Sequence, residues 1–288
     1  MQVLVMTLDE LLHGKSLEEF FHVNWGAKPC HFTRSPLSLE TPETLLSSLL
    51  SLPRLRYPQV RILNGEGALN PFLYTASCRH ELSEVINNDK VRALAIAPNT
   101  IKIEELASLH PVFENWANLL GRLFSSRITL NGYFSFGPSD GIPIHYDPHH
   151  IFAIQLYGEK TWSLGLNQSE LFPHSALTMS DNLKHDPSIG LKLKAGEMLY
   201  LPPGRLHSVR TESHSVHIAA GIHTPRCFQA ISGLLDKAAA SHPELRSDMP
   251  FNVSSQGVQF RPLTEEELDM AFRLLKAEQV NANDLKHG

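Results

Sequence analysis

The sequence predicts a mainly β protein, a small barrel with helices before and after it, and three observations carry that prediction. Between Ile128 and Gly221 the chain is a succession of short apolar strands separated by turn residues, the pattern of a sandwich or barrel. On either side of that stretch the apolar residues recur at helical spacing. Inside it, the segments Pro143–Trp162 and Gly196–His207 set His and Asp residues at strand ends, where they can meet across a barrel.

Composition narrows the classes. At 288 residues the chain can bury a large core, as one domain or as one domain with an appendage. A net charge of −5 offers no basic face, so no direct nucleic-acid binding is expected, although an acidic rim would attract a basic peptide. Sixteen histidines are many for this length and point towards metal or proton chemistry. Cys30, Cys78 and Cys227 are too few and too scattered for a disulfide framework or a zinc cluster, and are expected as buried, reduced thiols. The N-terminus has no basic region of a signal peptide, and no apolar run reaches membrane-spanning length. A cytoplasmic protein without membrane contact is expected.

The elements follow in order. Ser16 and Glu19 form a capping-box pattern that opens a helix with Leu17, Phe20 and Phe21 on one face. Trp25–Arg34 reads as a turn into a short strand. Thr41 and Pro42 are an N-cap and first-turn pair for a second helix. Val60–Leu63 and Phe72–Tyr74 look like short β pieces. Residues 103–123 look helical, with Leu106, Leu109, Phe113, Trp116, Leu119, Leu120 and Leu123 at helical spacing. This whole region reads as scaffold.

The strand from Ile128 to Phe136 alternates. Asn131, Tyr133 and Ser135 share one face, and Leu130, Phe134 and Phe136 the other, so the polar face meets either solvent or a lumen. Ile151–Tyr157 is the next clear strand, and a turn at Gly158-Glu159 leads into Lys160–Leu164. Residues 165–190 read as a loop insertion over a barrel mouth. Glu197–Leu201 enters a Pro-Pro-Gly turn, His207 opens another strand, and Ser215–His223 is the last. Beyond Pro225 the pattern is helical again, with Phe228, Ile231, Leu234 and Leu235 on one face. A second capping box at Thr264–Glu267 precedes a helix carrying Leu268, Phe272 and Leu275.

His145 and Asp147, two apart on a strand end, leave the strand on one face and can chelate one ion. Two imidazoles and one carboxylate on a face of an octahedron are the ligand set of mononuclear non-haem iron(II), with positions left open for co-substrate and dioxygen. The segment Gly196, five residues, Pro202, one, Gly204, two, His207 matches the cupin pattern and delivers the third ligand from across the barrel. His145, Asp147 and His207 are therefore the candidate Fe(II) ligands. Lys160, fifteen residues after His145, is either a surface lysine in a Gly-Glu-Lys turn or a buried cation awaiting a carboxylate. His149 and His150 are expected to line the mouth, and His217 to face the lumen.

Together N-x-Y at Asn131–Tyr133, H-Y-D at His145–Asp147, F-x-x-Q-L-x-G-x-K-x-W at Phe152–Trp162 and G-x-x-L-Y-L-P-P-G-x-x-H at Gly196–His207 resemble the JmjC-type 2-oxoglutarate oxygenases, above all the ribosomal-protein hydroxylases that modify arginine or histidine. The resemblance runs from Glu18 to the helix after Thr264. It implies a double-stranded β-helix, the jelly-roll of cupins, over residues 1–225. The helical segment 226–288 is expected to form a homodimer or simply to pack against the barrel, and the winged helix that related enzymes carry after it is expected to be absent. It also implies that Lys160 and Tyr133 hold the far carboxylate of 2-oxoglutarate, with Asn131 nearer the metal. The family hydroxyl on the last barrel strand is replaced here by Ala219, with His217 on the same face to stand in. The implied activity is Fe(II)- and 2-oxoglutarate-dependent hydroxylation, by O2, of a protein side chain, with ribosomal proteins as candidate substrates. Two alternatives are a hydroxylase of a biosynthetic peptide or small metabolite, and a non-catalytic cupin-like binding module.

Overall fold

Two antiparallel sheets stand at the centre of the computed structural model, which describes residues 6–284 except 38–41, 53–54, 65, 77–84, 96–97, 169–176 and 179–187. The larger sheet runs β1 (Cys30–Phe32), β11 (Met198–Leu201), β7 (His150–Tyr157), β13 (His214–His223), β5 (Arg127–Phe136), β4 (Thr100–Ile103), β2 (Val60–Asn64) and β3 (Gly67–Ala68). The smaller runs β10 (Ser188–Lys194), β8 (Glu159–Gln168), β12 (Arg205–Thr211), β6 (Ser139–Tyr146) and β9 (Leu177–Thr178). This is the mainly β, jelly-roll architecture with flanking helices that the sequence predicts.

Period-two alternation sorts the side chains of the larger sheet into two layers. Leu130 and Phe134 of β5, Phe152 and Ile154 of β7, and Val216, Ile218, Ala220 and Ile222 of β13 enter one core with the helices. That layer includes Leu49 and Leu50 of α3 (Pro42–Leu50), Val91 of α4 (Asn88–Ala95), and Phe113, Trp116 and Leu120 of α5 (Pro111–Phe124). Each large apolar side chain so buried contributes roughly 1.5–3 kcal/mol. The alternate residues Ile151, Ala153, Leu199 and Leu201 face the other way and pack on Trp162, Leu164, Leu193 and Val209 of the smaller sheet. This second cluster is the interior of the barrel, and the polar residues of the same register line its lumen.

The N-terminal helices form as their caps dictate. Thr7 and Glu10 close a reciprocal box on α1 (Leu8–Leu11), and the Ser16 hydroxyl accepts the Glu19 amide at 3.1 Å to start α2 (Leu17–Glu19). α2 continues as a π-helical turn, Phe20–Asn24, which seats Phe20 among Phe32, Phe152 and Tyr200. Thr41 lies outside the described residues.

Several expectations are corrected. Phe72–Tyr74 is not β: Asn70 accepts the Phe72 amide at 3.1 Å and Pro71 presets the backbone, so a 3-10 turn forms over Pro71–Leu73. The helix read from residue 103 starts at Pro111, capped by His110; Ile103 is the last residue of β4, and a 3-10 turn at Leu106–Ser108 follows. Part of 165–190 is strand, because β8 extends to Gln168 and β9 pairs with His145 and Tyr146. Of the cysteines, Cys30 is buried but Cys227 is exposed, and Cys78 lies outside the described residues.

Contacts divide the chain into two compact units, Met1–Thr224 and Pro225–Gly288. The second holds α6 (Cys227–Ser241), a hairpin of β14 (Phe251–Ser254) and β15 (Gly257–Phe260) that the helical reading missed, and α7 (Glu265–Asp284). Thr264 and Glu267 cap α7 reciprocally. Arg261 forks onto the Glu267 carboxylate with two 2.9 Å bonds and holds its pKa down at about 2.

Candidate metal centre

β6 and β12 lie side by side with His145 directly opposite His207, and Asp147 follows β6 within one turn. The Asp147 Oδ2 atom is 3.6 Å from His145 Nε2 and 3.8 Å from His207 Nε2. One ligand atom from each of the three lies within 4.8 Å of the others, the sole such group among the described residues. Two bonds of about 2.0–2.2 Å meeting at one ion fit these spacings.

The turn between β11 and β12 delivers His207. Gly204 sits at φ +77°, a left-handed conformation that suits glycine, and its amide donates to the Asp147 carbonyl at 2.9 Å. Buried Arg205 clamps the turn to the Gly165 and Ala27 carbonyls at 2.8 and 3.2 Å. The Arg205 carbonyl in turn accepts the His207 Nδ1 proton at 2.9 Å, which leaves Nε2 with its lone pair directed at Asp147. Burial, then His145, pushes the His207 pKa down to about 4, so the ring is neutral as a ligand must be. Burial alone would raise the Asp147 pKa, but His145 and His207 outweigh it and hold the carboxyl below its ordinary value.

From His207 a row of rings crosses the lumen. Trp162 stacks on His207 at 5.7 Å and meets His217 edge-on at 5.4 Å, and His217 stacks on its cross-strand partner Tyr133 at 4.5 Å. The nitrogens His217 Nδ1 and Trp162 Nε1 are buried without a hydrogen-bond partner among the described residues. Unmade bonds of this kind cost about 1–3 kcal/mol each, which suits a pocket built for a polar guest.

Lys160 is 3% exposed. The β7–β8 turn puts it there: Gly158 has φ +62°, and a Cβ at that position would stand 2.1 Å from the His214 carbonyl oxygen. The ammonium donates to the Tyr133 carbonyl at 3.4 Å and has no carboxylate partner among the described residues. Burial pushes its pKa down to about 7. The adjoining cavity is lined by Tyr133, Ser135, Lys160, Thr211 and His217, with Thr100 bonded to Ser135 and Ser139 at 2.8 and 3.1 Å at its wall.

The structure thus gathers His145, Asp147 and His207 at one place, and Tyr133, Lys160 and His217 along the lumen. Asn131 is half-buried opposite Ala219, with its side-chain oxygen accepting the Glu105 amide at 3.3 Å, and it does not line the cavity. His150 does not line a mouth: it is buried, stacked on Trp25 at 3.8 Å and bonded to the Tyr200 hydroxyl at 2.8 Å. Its even place on β7 turns it into the helix-side layer. His149 stands by His223, ring to ring at 4.3 Å, and His223 bonds Thr129 at 3.0 Å. Sequence reasoning missed Thr100 and Lys102, although Thr-Ile-Lys-Ile alternates as a half-buried strand does.

Residues 109–229 match the JmjC domain family. Over 297 residues the chain is 26% identical to ribosomal oxygenase 2 of Rattus norvegicus, covering 96% of this chain and 62% of that protein. A 120-residue stretch is 32% identical to the bifunctional lysine-specific demethylase and histidyl-hydroxylase NO66 of Drosophila persimilis, covering 41% of this chain and 17% of that one. The chain therefore spans less than two thirds of these relatives. Among solved structures, the Escherichia coli ribosomal oxygenase YcfD in complex with cobalt and 2-oxoglutarate superposes with a TM-score of 0.57 at 19% identity, covering 93% of this chain and 67% of that one. The fold is shared at that level. The matched segment contains the His-Asp-His group, Tyr133, Lys160 and the ring row, and over that segment the chain is similar to the JmjC-domain family.

Proposed function

We propose that the chain is an Fe(II)- and 2-oxoglutarate-dependent oxygenase that hydroxylates an amino-acid side chain of a protein, with ribosomal proteins the foremost candidates. One observation carries this reading: a fully buried ammonium with no carboxylate partner among the described residues lies in the same lumen as a His-Asp-His group. An unpaired buried charge costs several kcal/mol, and a dicarboxylate guest removes that cost.

In this reading His145, Asp147 and His207 hold the iron. Lys160 and Tyr133 bind the far carboxylate of 2-oxoglutarate. Asn131 offers its side-chain amide N–H nearer the metal, since its oxygen is engaged by Glu105. His217, whose buried Nδ1 has no hydrogen-bond partner among the described residues, stands in for the hydroxyl that Ala219 lacks. Trp162 and the apolar residues Ile151, Ala153 and Leu201 exclude water. The iron, when bound with 2-oxoglutarate and dioxygen, supplies the oxidising chemistry and yields succinate and carbon dioxide.

The names of the relatives, ribosomal oxygenase and histidyl-hydroxylase, support a ribosomal-protein substrate. Peptide mass spectrometry of ribosomal proteins from matched wild-type and deletion cells tests it. The expected result is one peptide lighter by a single oxygen atom in the deletion. No such peptide would instead favour a biosynthetic peptide or a small metabolite as substrate. None of the described helices is long and apolar enough to cross a membrane, and we place the protein in the cytoplasm with that substrate.

For the second unit we propose homodimerisation. α6 exposes Phe228 and Ile231, the hairpin exposes Val253 and Phe260, and α7 exposes Phe272, large apolar side chains that a second copy could cover. Light scattering after size exclusion should give twice the chain mass, and Ile231→Glu with Phe272→Glu should halve it. A monomeric wild type sinks the proposal.

A further inference from the structure

β4 lies beside β5 with Lys102 opposite Tyr133. Ile101 and Ile103 enter the helix-side core, whereas Thr100 bonds Ser135 on the lumen face, so Lys102 shares that lumen face with Tyr133. Its side chain is mostly buried. The ammonium stands 2.6 Å from Glu104 Oε1, and Arg61, the cross-strand partner of Lys102 on β2, bonds the same oxygen. On its other side the ammonium lies 5.6 Å from the Tyr133 ring centroid. Burial disfavours the Lys102 charge, yet Tyr133 and Glu104 outweigh burial and raise its pKa. Burial likewise pushes the Tyr133 phenol up, and Lys102 draws it back.

We propose that Lys102 is a positioning residue for the dicarboxylate co-substrate and acts through Tyr133; the inference rests on the 2-oxoglutarate reading above. A lysine ammonium has donors and no acceptor, so towards Lys102 the phenol oxygen can only accept. Its single proton is then left for an acceptor on the lumen side, where Lys160 awaits a carboxylate. Glu104, held by Arg61, keeps Lys102 charged and in place. Without the ammonium, the phenol is free to give its proton to Glu104 instead, and the guest carboxylate loses a donor.

Calorimetric titration of the Mn(II)-loaded full chain with 2-oxoglutarate, and with 2-oxobutyrate, which lacks the far carboxylate, tests this. Lys102→Met should weaken 2-oxoglutarate roughly tenfold, the loss of one hydrogen bond to a charged group, and leave 2-oxobutyrate unchanged. Tyr133→Phe should do the same, and the double variant should be no weaker than Tyr133→Phe alone. Lys102→Arg, another pure donor, should recover most of the affinity. If Lys102→Met fails to fold, Lys102→Gln, which keeps polarity without charge, is read in the same way. Wild-type affinity in the variant, equal weakening of both keto acids, or additive losses in the double variant each overturn the proposal while leaving the oxygenase reading intact. A wild type that binds no 2-oxoglutarate overturns both.

Discussion

Asp147→Ala protein should fold, fail to retain Fe(II), and convert no 2-oxoglutarate to succinate above background. The backbone explains the first part: the Asp147 contribution to the β12 turn is its carbonyl, which accepts the Gly204 amide, and alanine keeps it. The side chain explains the second. Asp147 supplies the one carboxylate among the three donors, beside two imidazoles whose ring centroids lie 4.2 Å apart. Changing even an outer partner of a metal ligand typically costs about 10–100-fold in metal affinity, and a ligand itself should cost at least that. Metal analysis after dialysis and a succinate assay measure the two effects. Succinate formation at the wild-type rate would remove Asp147 from the metal site and with it the iron reading.

How much of this was legible beforehand differs by residue, for physical reasons. The ligand triad rests on local rules: two residues apart on a strand means one face, and a Pro-Pro-Gly turn reverses the chain sharply enough to bring His207 beside His145. The alternation Asn131, Tyr133, Ser135 was equally local, and the register of β5 with β13 gives it a lumen by setting His217 against Tyr133. Lys160 was ambiguous, because a Gly-Glu-Lys turn looks alike on a surface and inside a barrel. Its burial depends on Gly158 lying tight against His214, a contact 56 residues distant in sequence that no local pattern contains. Lys102 was hidden because a four-residue strand directly ahead of a helical run is too short to stand out, and its partners Arg61 and Tyr133 come from two other strands. His150 misled in the opposite way: next to His149 it looked like a site residue, while the pleat sent it into the aromatic layer with Trp25.

Lys160→Met should weaken 2-oxoglutarate binding by at least about thirtyfold, since truncating one partner of a buried charge pair costs roughly 2–5 kcal/mol. Metal retention should be unaffected. The variant should also abolish a pH dependence whose sign follows from burial. Folding lowers the Lys160 pKa from its ordinary 10.5 to about 7, so between those values the folded apo chain binds fewer protons than the unfolded one. Stability from this group therefore rises with pH across that window, and is at its lowest below pH 7, where the buried ammonium stays charged. Lys160→Met removes that slope and should raise the melting temperature of the apo protein at pH 6. Binding has the opposite sign. A guest carboxylate pairs with the ammonium and restores its proton, so above pH 7 the protein must take up a proton to bind. Affinity for 2-oxoglutarate should then fall by up to about tenfold per pH unit above 7 in the wild type and show no such fall in the variant. Calorimetry at pH 8 in two buffers of different ionisation enthalpy reads the proton directly. Binding without proton uptake, together with unchanged affinity in Lys160→Met, would mean that the carboxylate is held elsewhere. A more stable apo variant that no longer binds would show that the barrel keeps a destabilising charge in its interior because the guest needs it.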